Sequence, residues 1–592
     1  MTAPQQSQEP GRKVNNGPHW LDRYATPFHE WSSSHMSGRT TYQRPLGLVE
    51  LSFDADGIHY GGRADMTATL TLALSHSLSP NEFRHRIAAA WTALRLRHVL
   101  LMSRCIESND SSSSSFPGAL RRFSIDLPGS EEEAVQETLQ SGIVWVEDFY
   151  GAGEVDPRTL HDHALNVGRI VDPAICLSKL LVLPVRQKGD GTSELSLLVI
   201  MGHQISDGLS AYSWFSDLIR LLNLSPSTLS TEIHSALKPS IFSTRLPPAQ
   251  ESLYPAVKGS RARQRWIWAI LRVLRHVQHT LPPSFSNPLY RTTRIPTARP
   301  LPPIYPKLFS YSPASLPPNS TAHINATLSP AASARMQALC RSASLSIGAG
   351  CFALAGLAMM DVHSTLSPSS SPSPAMTASF PLNPRSFFTP SPSPDSCMLS
   401  FSDGIVLGHT SPTLPITSRF LLTARLANRE LRAYQKRGRQ TSLNAGGAAA
   451  FDRHAPARLL ATGYLAQIER VVARGSETAK QLGFVGLPQG ELEAKKGPMA
   501  TCGVSSVGSL KGFFRAGEYD LGDASKDFVV DYRGVRMGVR AREGEFLIGS
   551  STDGEGKVGF GVSYDASAID PDKAELWART ITGLLEESKA KL

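Results

Sequence analysis

The chain is predicted to fold as α/β in two comparable halves, each a mixed sheet flanked by helices. Three observations predict it. Apolar, β-prone runs alternate with helical spacing through most of the 592 residues. Residues 282–318 are dense in proline (Pro282, Pro283, Pro288, Pro296, Pro300, Pro302, Pro303, Pro306, Pro313, Pro317 and Pro318), which reads as one extended crossover between the halves. Within the first half, His203-Gln204-Ile205-Ser206-Asp207-Gly208 stands where a buried strand hands over to an amphipathic helix.

In chain order, residues 1–40 are polar with Trp20, Phe28 and Trp31 interspersed, and read as an arm that packs by a few aromatics. The first half is expected over 41–281. Arg44 to Phe53 and Met66 to Leu74 read as strands. Ser79 as N-cap and Pro80 at the first position open a helix through Ile87, Ala90, Trp91 and Leu94. The serines Ser111 to Ser115 mark a surface loop. Glu131 to Leu139 is expected to be helical. Leu177 to Val185 and Leu195 to Met201, joined across Gly189-Asp190-Gly191, form a hairpin that delivers His203 at its far end. After it, Leu209, Tyr212, Phe215, Leu218 and Leu222 recur at helical spacing.

The second half is expected over 319–588. It has a strand from His323 to Leu328, a helix from Pro330 to Arg341 capped by Ser329, and a buried helix near Ile347 to Met360. Ser364 to Pro374 is a Ser/Pro-rich loop, and Thr377 to Leu382 a short strand ending at Asn383-Pro384-Arg385. Thr501 to Leu510, Asp527 to Val539, Glu545 to Ser550 and Lys557 to Tyr564 read as strands, and Pro571 to Glu587 as the closing helix.

Composition narrows the function classes. Net charge is +9, mild for this length and spread rather than blocked, and no nucleic-acid motif is present. The six cysteines show neither CxxC pairs nor zinc spacing, as expected of free thiols in a reducing compartment. The N-terminus lacks the apolar core of a signal peptide. The most apolar run, Leu345 to Met360, is shorter than a bilayer span and is expected to be a core helix.

Histidine is the side chain best matched to proton transfer near neutral pH. At a strand end in a cleft, one nitrogen of His203 can take a proton from a hydroxyl. Asp207 can orient the imidazole or anchor the loop through an arginine, and Gly208 lets the backbone turn into the helix. The spacing alone does not set this apart from a satisfied buried histidine, since a lone His-x-x-x-Asp occurs by chance in many proteins. A metal site would need three or more ligands, and His161-Asp162-His163, the only other such cluster, reads as a solvated loop. No metal or bound cofactor is expected.

With that context, His203-Gln204-Ile205-Ser206-Asp207-Gly208 resembles the His-x-x-x-Asp-Gly signature of the chloramphenicol-acetyltransferase-like superfamily, which includes CoA-dependent O-acyltransferases and peptide-synthetase condensation domains. Phe380-Pro381-Leu382-Asn383-Pro384-Arg385 is similar to that family's Asn-x-Arg segment. Val504-Ser505-Ser506-Val507-Gly508 resembles its Ser-Asn-x-Gly strand, with Ser506 in place of Asn, and Tyr564-Asp565 matches the terminal strand. The plant branch's Asp-Phe-Gly-Trp-Gly is absent; the nearest stretch is Asp527-Phe528-Val529-Val530-Asp531. Gly202 precedes His203 where condensation domains carry a second histidine.

The resemblance implies two chloramphenicol-acetyltransferase-like domains with an active-site tunnel between them, in a monomer. It implies that His203 is the general base for direct transfer from acyl-CoA, the cosubstrate, to a hydroxylated acceptor. Asp207 would be structural and paired to Arg385 beside Asn383; Ser505 or Ser506 would face the oxyanion. The chain resembles in particular the fungal acyltransferases of mannosylerythritol lipids, with a short- or medium-chain donor and a glycolipid acceptor. A trichothecene-type O-acetyltransferase acting on a terpenoid alcohol is the alternative, and a degenerate binding protein of the same fold the third.

Two features stand outside the tunnel. Arg261, Arg263, Arg265, Arg272 and Arg275 interleave with Trp266, Ile267, Trp268, Ile270, Leu271, Val273 and Leu274 in a basic amphipathic helix, which suits a membrane surface, a lid over a lipid acceptor, or plain packing with a solvated basic face. The last residues, Ala590-Lys591-Leu592, resemble the Ser-Lys-Leu peroxisomal address, which would bring the import receptor as a partner and peroxisomal rather than cytoplasmic location.

Overall fold

A computed structural model describes residues 24–36, 38–108, 120–189, 192–277, 284–367, 375–402, 404–435, 454–474 and 500–586. Residues 1–23 of the expected arm, Ser111 to Ser115, Asp190-Gly191, Pro282-Pro283, residues 368–374 of the Ser/Pro-rich loop and Ala590-Lys591-Leu592 lie outside the described residues.

Two six-stranded sheets dominate. The first runs, edge to edge, Phe528–Val539, Met66–His76, Ser193–Met201, Ser178–Val182 and Ile143–Trp145, with Arg186–Gln187 paired to the third. The second runs Thr321–Thr327, Val558–Asp565, Phe546–Thr552, Cys502–Ser509, Met376–Ser379 and Ile405–Leu407. Both are mixed: Cys502–Ser509 is parallel to both its neighbours, and Ile143–Trp145 is parallel to Ser178–Val182. A four-stranded sheet (Ser32–Met36, Arg39–Pro45, Leu120–Leu127, Arg104–Ser108) joins the first half.

The sheets' two faces explain how each half closes. On Met66–His76, Met66, Ala68, Leu70, Leu72 and Leu74 enter a core with the helices Pro80–Arg97 and Gly208–Leu222. The other face, with Leu181, Leu198 and Ile200, packs on Leu160 and Ala164 of the helix Pro157–Ala164. In the second half the helix Ile347–Leu366 is buried against the strands and against Ile416–Gln435 and Pro571–Gly583. That helix runs 20 residues, longer than the apolar run expected, and by length and composition it could cross a membrane. Its most apolar window is 72% buried inside the molecule, as a core helix is.

Several expectations change. Leu48–His59 is a helix, and of the strand expected over Arg44 to Phe53 only Arg44 and Pro45 are in one, the strand Arg39–Pro45. Glu50 accepts from Gly47 N–H at 2.7 Å and so caps the first turn, while Arg44 holds the same carboxylate with both Nη atoms at 2.7 Å. Helix faces here are buried all round, and a short apolar run without clear period does not separate helix from strand. His161-Asp162-His163 belongs to the helix Pro157–Ala164, which Asp156 caps through Thr159 N–H. His161 is fully buried, with Nδ1 2.9 Å from Thr69 Oγ1, so no solvated loop exists there.

The strand Phe528–Val539 lies in the first half's sheet although it falls late in the chain. It pairs antiparallel with Met66–His76 from Val539 opposite Met66 to Phe528 opposite His76. The second half therefore lends a strand to the first half's sheet, which an expected boundary of 319–588 does not convey. Alternation identifies a strand but not the edge it joins. The proline-rich segment is no free linker either. Phe285 and Leu289 enter the second half's core, and Tyr305 and Phe309 are buried under the first half's sheet with Leu160, Leu181 and Leu198. A Phe309→Ala variant is expected to cost about 3 kcal/mol and to lower the thermal midpoint; a solvated linker would leave the midpoint unchanged.

Candidate functional site

The Ser193–Met201 strand ends on Gly202, whose N–H donates to Leu177 O at 2.9 Å in the neighbouring strand's approach. A side chain at Gly202 would strike Gln204, because a Cβ there would lie 2.5 Å from Gln204 Oε1. The chain then turns through His203 to Asp207, which caps the helix Gly208–Leu222. Asp207 Oδ1 accepts from Leu209 N–H at 3.0 Å and Ser210 N–H at 2.9 Å. Ser210 Oγ accepts from Asp207 N–H at 2.7 Å, closing a capping box.

The second carboxylate oxygen faces the other half. Asp207 Oδ2 accepts from Arg385 Nη2 at 2.8 Å and from Met398 N–H at 3.0 Å. Arg385 Nη2 also donates to Ser396 O at 2.6 Å, and its Nη1 to Asn383 Oδ1 at 3.3 Å. Asn383 Oδ1 in turn accepts from Arg385 N–H at 3.1 Å, fixing the turn that presents the guanidinium. Each oxygen of Asp207 thus takes two hydrogen bonds from protein, and both partners of the ion pair are 5% exposed at the side chain.

His203 is held differently. Its ring stacks flat on Phe53 of the Leu48–His59 helix, with centroids 3.9 Å apart and planes parallel. Cys397 Sγ lies 3.8 Å from Nδ1. Arg542, paired to Asp56 at 3.0 Å, covers Phe53 with its guanidinium carbon 5.4 Å from the ring centroid. Burial lowers the His203 pKa to about 4. A hydrogen bond to its own backbone and the Asp207 charge pull it up, and the Arg542 charge pushes it down. The imidazole is therefore neutral at pH 7 and can accept a proton.

A cavity of about 490 Å³ opens on this ring. One wall is apolar: Met66, Tyr212, Val507, Leu510, Val535 and Met537. The other belongs to the second sheet and is small and polar, with Ser505, Gly549, Ser551, Gly559, Gly561 and Ser563. Strand alternation produces it. Phe546, Ile548, Phe560 and Val562 point into the core, so their neighbours along the strands face the cavity, and apart from Leu547 these are small: Gly549, Ser551, Gly559, Gly561 and Ser563. Two glycines face each other across the strands; a Cβ on Gly549 would meet Gly561 O at 3.2 Å. The open channel needs them small.

Of the residues singled out in the sequence, His203, Asp207, Gly208 and Ser505 line the cavity, with Asp207's carboxylate turned to Arg385. Asn383 and Arg385 stand behind it. Ser506 alternates to the far face, where its Oγ lies 3.5 Å from a Cβ position on Gly348, so Ser505 and Ser506 are not brought together. Among the described residues no group of three or more His, Cys, Asp or Glu side chains is placed to hold a metal. Sequence reasoning missed Phe53, Arg542, Cys397 and Tyr212. Only Tyr212 carried a signal, since it lies one turn beyond Gly208 on the same helix.

No protein-family profile matches the chain, and no curated protein matches it. Solved structures do. The molecule is similar to TRI3 trichothecene 15-O-acetyltransferase from Fusarium sporotrichioides, with a TM-score of 0.60 at 12% identity over 94% of this chain and 97% of that one. It is also matched by the condensation domain of the Monacolin K polyketide synthase MokA, with a TM-score of 0.48 at 12% identity over 92% and 96% of the two chains. A starter condensation domain of rhizomide synthetase RzmA in complex with C8-CoA matches with a TM-score of 0.47 at 12% identity over 92% and 95%. The chain has the two-domain α/β fold that the first of these displays, with mixed sheets flanked by helices. The finer likeness to mannosylerythritol-lipid enzymes has no counterpart among these three structures.

Arg385→Ala would leave the Asp207 carboxylate buried without its cation. The expected cost is about 3–5 kcal/mol, read as a fall in thermal midpoint and soluble yield. An unchanged midpoint would show that the Met398 amide and the helix N-terminus satisfy Asp207 by themselves.

Proposed function

We propose that the protein is an acyl-CoA-dependent O-acyltransferase in which His203 is the general base. The observation that carries this reading is a neutral imidazole on the wall of a cavity between the two sheets, beside an aspartate committed entirely to protein partners. That division assigns proton transfer to His203 and geometry to Asp207.

In this reading Nε2 of His203 takes the acceptor's hydroxyl proton as the oxygen bonds to the thioester carbonyl carbon. Ser505, facing the cavity, donates to the resulting oxyanion. The tetrahedral intermediate collapses with cleavage of the C–S bond, and the imidazolium returns the proton to the departing sulfur. The products are ester and free CoA, and the imidazole is neutral again. The thiol beside His203 does not make this a Cys–His nucleophile pair. Burial, with the Asp207 charge next, raises the Cys397 pKa well above the ordinary thiol value, so the thiolate needed for an acyl-enzyme is not populated.

The acyl chain, short or medium in length, lies along Tyr212, Leu510, Val535 and Met537, and the acceptor hydroxyl reaches His203 across the small-residue wall. For the acceptor we favour a glycolipid of the mannosylerythritol type. A terpenoid alcohol is the second reading, favoured by the fold shared with a trichothecene 15-O-acetyltransferase. Ala590-Lys591-Leu592 supports a peroxisomal location, beside the supply of shortened acyl-CoA.

Incubation with acyl-CoAs of graded length and either mannosylerythritol or a sesquiterpene alcohol is expected to give ester detectable by mass. His203→Ala should lower the rate by about 10²–10⁴; an undiminished rate would remove the base assignment, and absence of ester from the wild type would favour a binding protein. A reporter fused to residues 582–592 is expected to collect in peroxisomes, and a cytosolic reporter would remove that claim.

A further inference from the structure

The basic helix Arg261–Val277 has two apolar faces, and only one of them is used by the fold. Ile267, Trp268 and Leu271 are buried. The Trp268 ring meets Tyr24 edge-on at 4.8 Å and Tyr464 at 6.1 Å, so this face is seated on the helix Pro456–Arg474 and on Tyr24. The opposite face carries Ala262, Trp266, Ala269 and Val273, all exposed and spaced four, three and four residues apart. They form one stripe along the helix. Trp266 is 68% exposed and Val273 59%, unusual values for large apolar side chains.

Arginines border that stripe. Arg263 stands on one side and Arg265 on the other, with Arg261 leading them in the first turn, all exposed. Among the described residues none of these three makes an ion pair. Acidic residues are absent over a far longer span: none occurs between Glu251 and Asp361. Within it, Lys258 precedes the five arginines of the helix. A solvated helix normally balances such charge with nearby carboxylates. Arg261, Arg263 and Arg265 stand without such a partner among the described residues, around an exposed tryptophan.

We propose that this face docks on an anionic lipid membrane, lying flat with the Ala262–Trp266–Ala269–Val273 stripe in the headgroup region and the arginines against acidic headgroups. An amphipathic helix with tryptophan on its apolar side and arginine along the border has the two contributions such binding needs. A second copy of the chain fits less well. A two-fold interface on this stripe would bring like charges together from both helices. The helix is anchored to the fold by its other face, so docking does not require it to detach. The inference does not rest on the catalytic reading, because its test reads binding alone.

The full chain should cosediment with phosphatidylcholine vesicles containing phosphatidylserine, and far less with phosphatidylcholine alone. Added salt should weaken the binding. Replacing the three exposed arginines together (Arg261→Gln, Arg263→Gln, Arg265→Gln) should lower the partition coefficient on the order of a hundredfold. Trp266→Ser should also weaken it, with the thermal midpoint unchanged because the side chain is exposed. Equal sedimentation of wild type and both variants would overturn the proposal. So would a wild-type dimer that ignores vesicles and that Trp266→Ser dissolves, which would assign the stripe to a second copy.

Discussion

The ion pair between Asp207 and Arg385 ties the two halves at the point where the site sits. Asp207 caps the helix that follows His203, and Arg385 stands in a turn of the second half that Asn383 shapes. A buried pair of this kind is weak as a source of stability, since well-packed apolar residues would serve about as well. Its use is geometric. One carboxylate oxygen holds the helix N-terminus and the other holds the guanidinium and Met398 N–H. The loop bearing His203 is thereby given one position relative to the second sheet, and the cavity between the sheets one shape.

Around that point the chain interlocks in two further ways. The Phe528–Val539 strand leaves the second half to complete the first half's sheet, and its Val535 and Met537 wall the cavity. The proline-rich segment starts in the second core and ends beneath the first sheet. The strand buries Phe528 in the first half's core, and the proline-rich segment buries Phe285 in the second core and Tyr305 and Phe309 beneath the first sheet, so the interface resembles a core rather than a hinge. Phe53 and Arg542 belong to opposite ends of the chain, yet they sit one above the other over His203. Their joint effect is to desolvate the imidazole while a positive charge stands near, and both favour its neutral form.

What the sequence made legible follows from which signals are local. The Ser193–Met201 strand, the Gly208–Leu222 helix and the N-cap at Ser79 each depend on residues within a few positions, and each was readable. Ser505 and Ser506 could not be separated by their text, because which of two neighbours faces a cavity depends on the sheet's packing. Phe53 was read in a strand because Leu48 to Phe53 carries no distinct period; the capping carboxylate of Glu50 was the available clue. Cys397 and Arg542 come to His203 from about 200 and 340 residues away, and no spacing rule reaches that far. The strand's crossing into the first half's sheet was hidden for the same reason: Phe528–Val539 looks like any half-buried strand until its partner edge is known.

The central claim is that His203 stands neutral and accepts a proton well below the ordinary imidazole range. The measurement that tests it most directly is the pH dependence of kcat/KM for ester formation by the wild-type chain. Protonation of the base removes activity, so the acid limb reports the free enzyme's His203. The account predicts an inflection at about pH 4, with no loss as pH falls through 6.5. An acid limb at 6.5 or above would contradict it, because the ring would then be titrating as a solvated imidazole rather than one held between Phe53, Cys397 and the Arg542 charge.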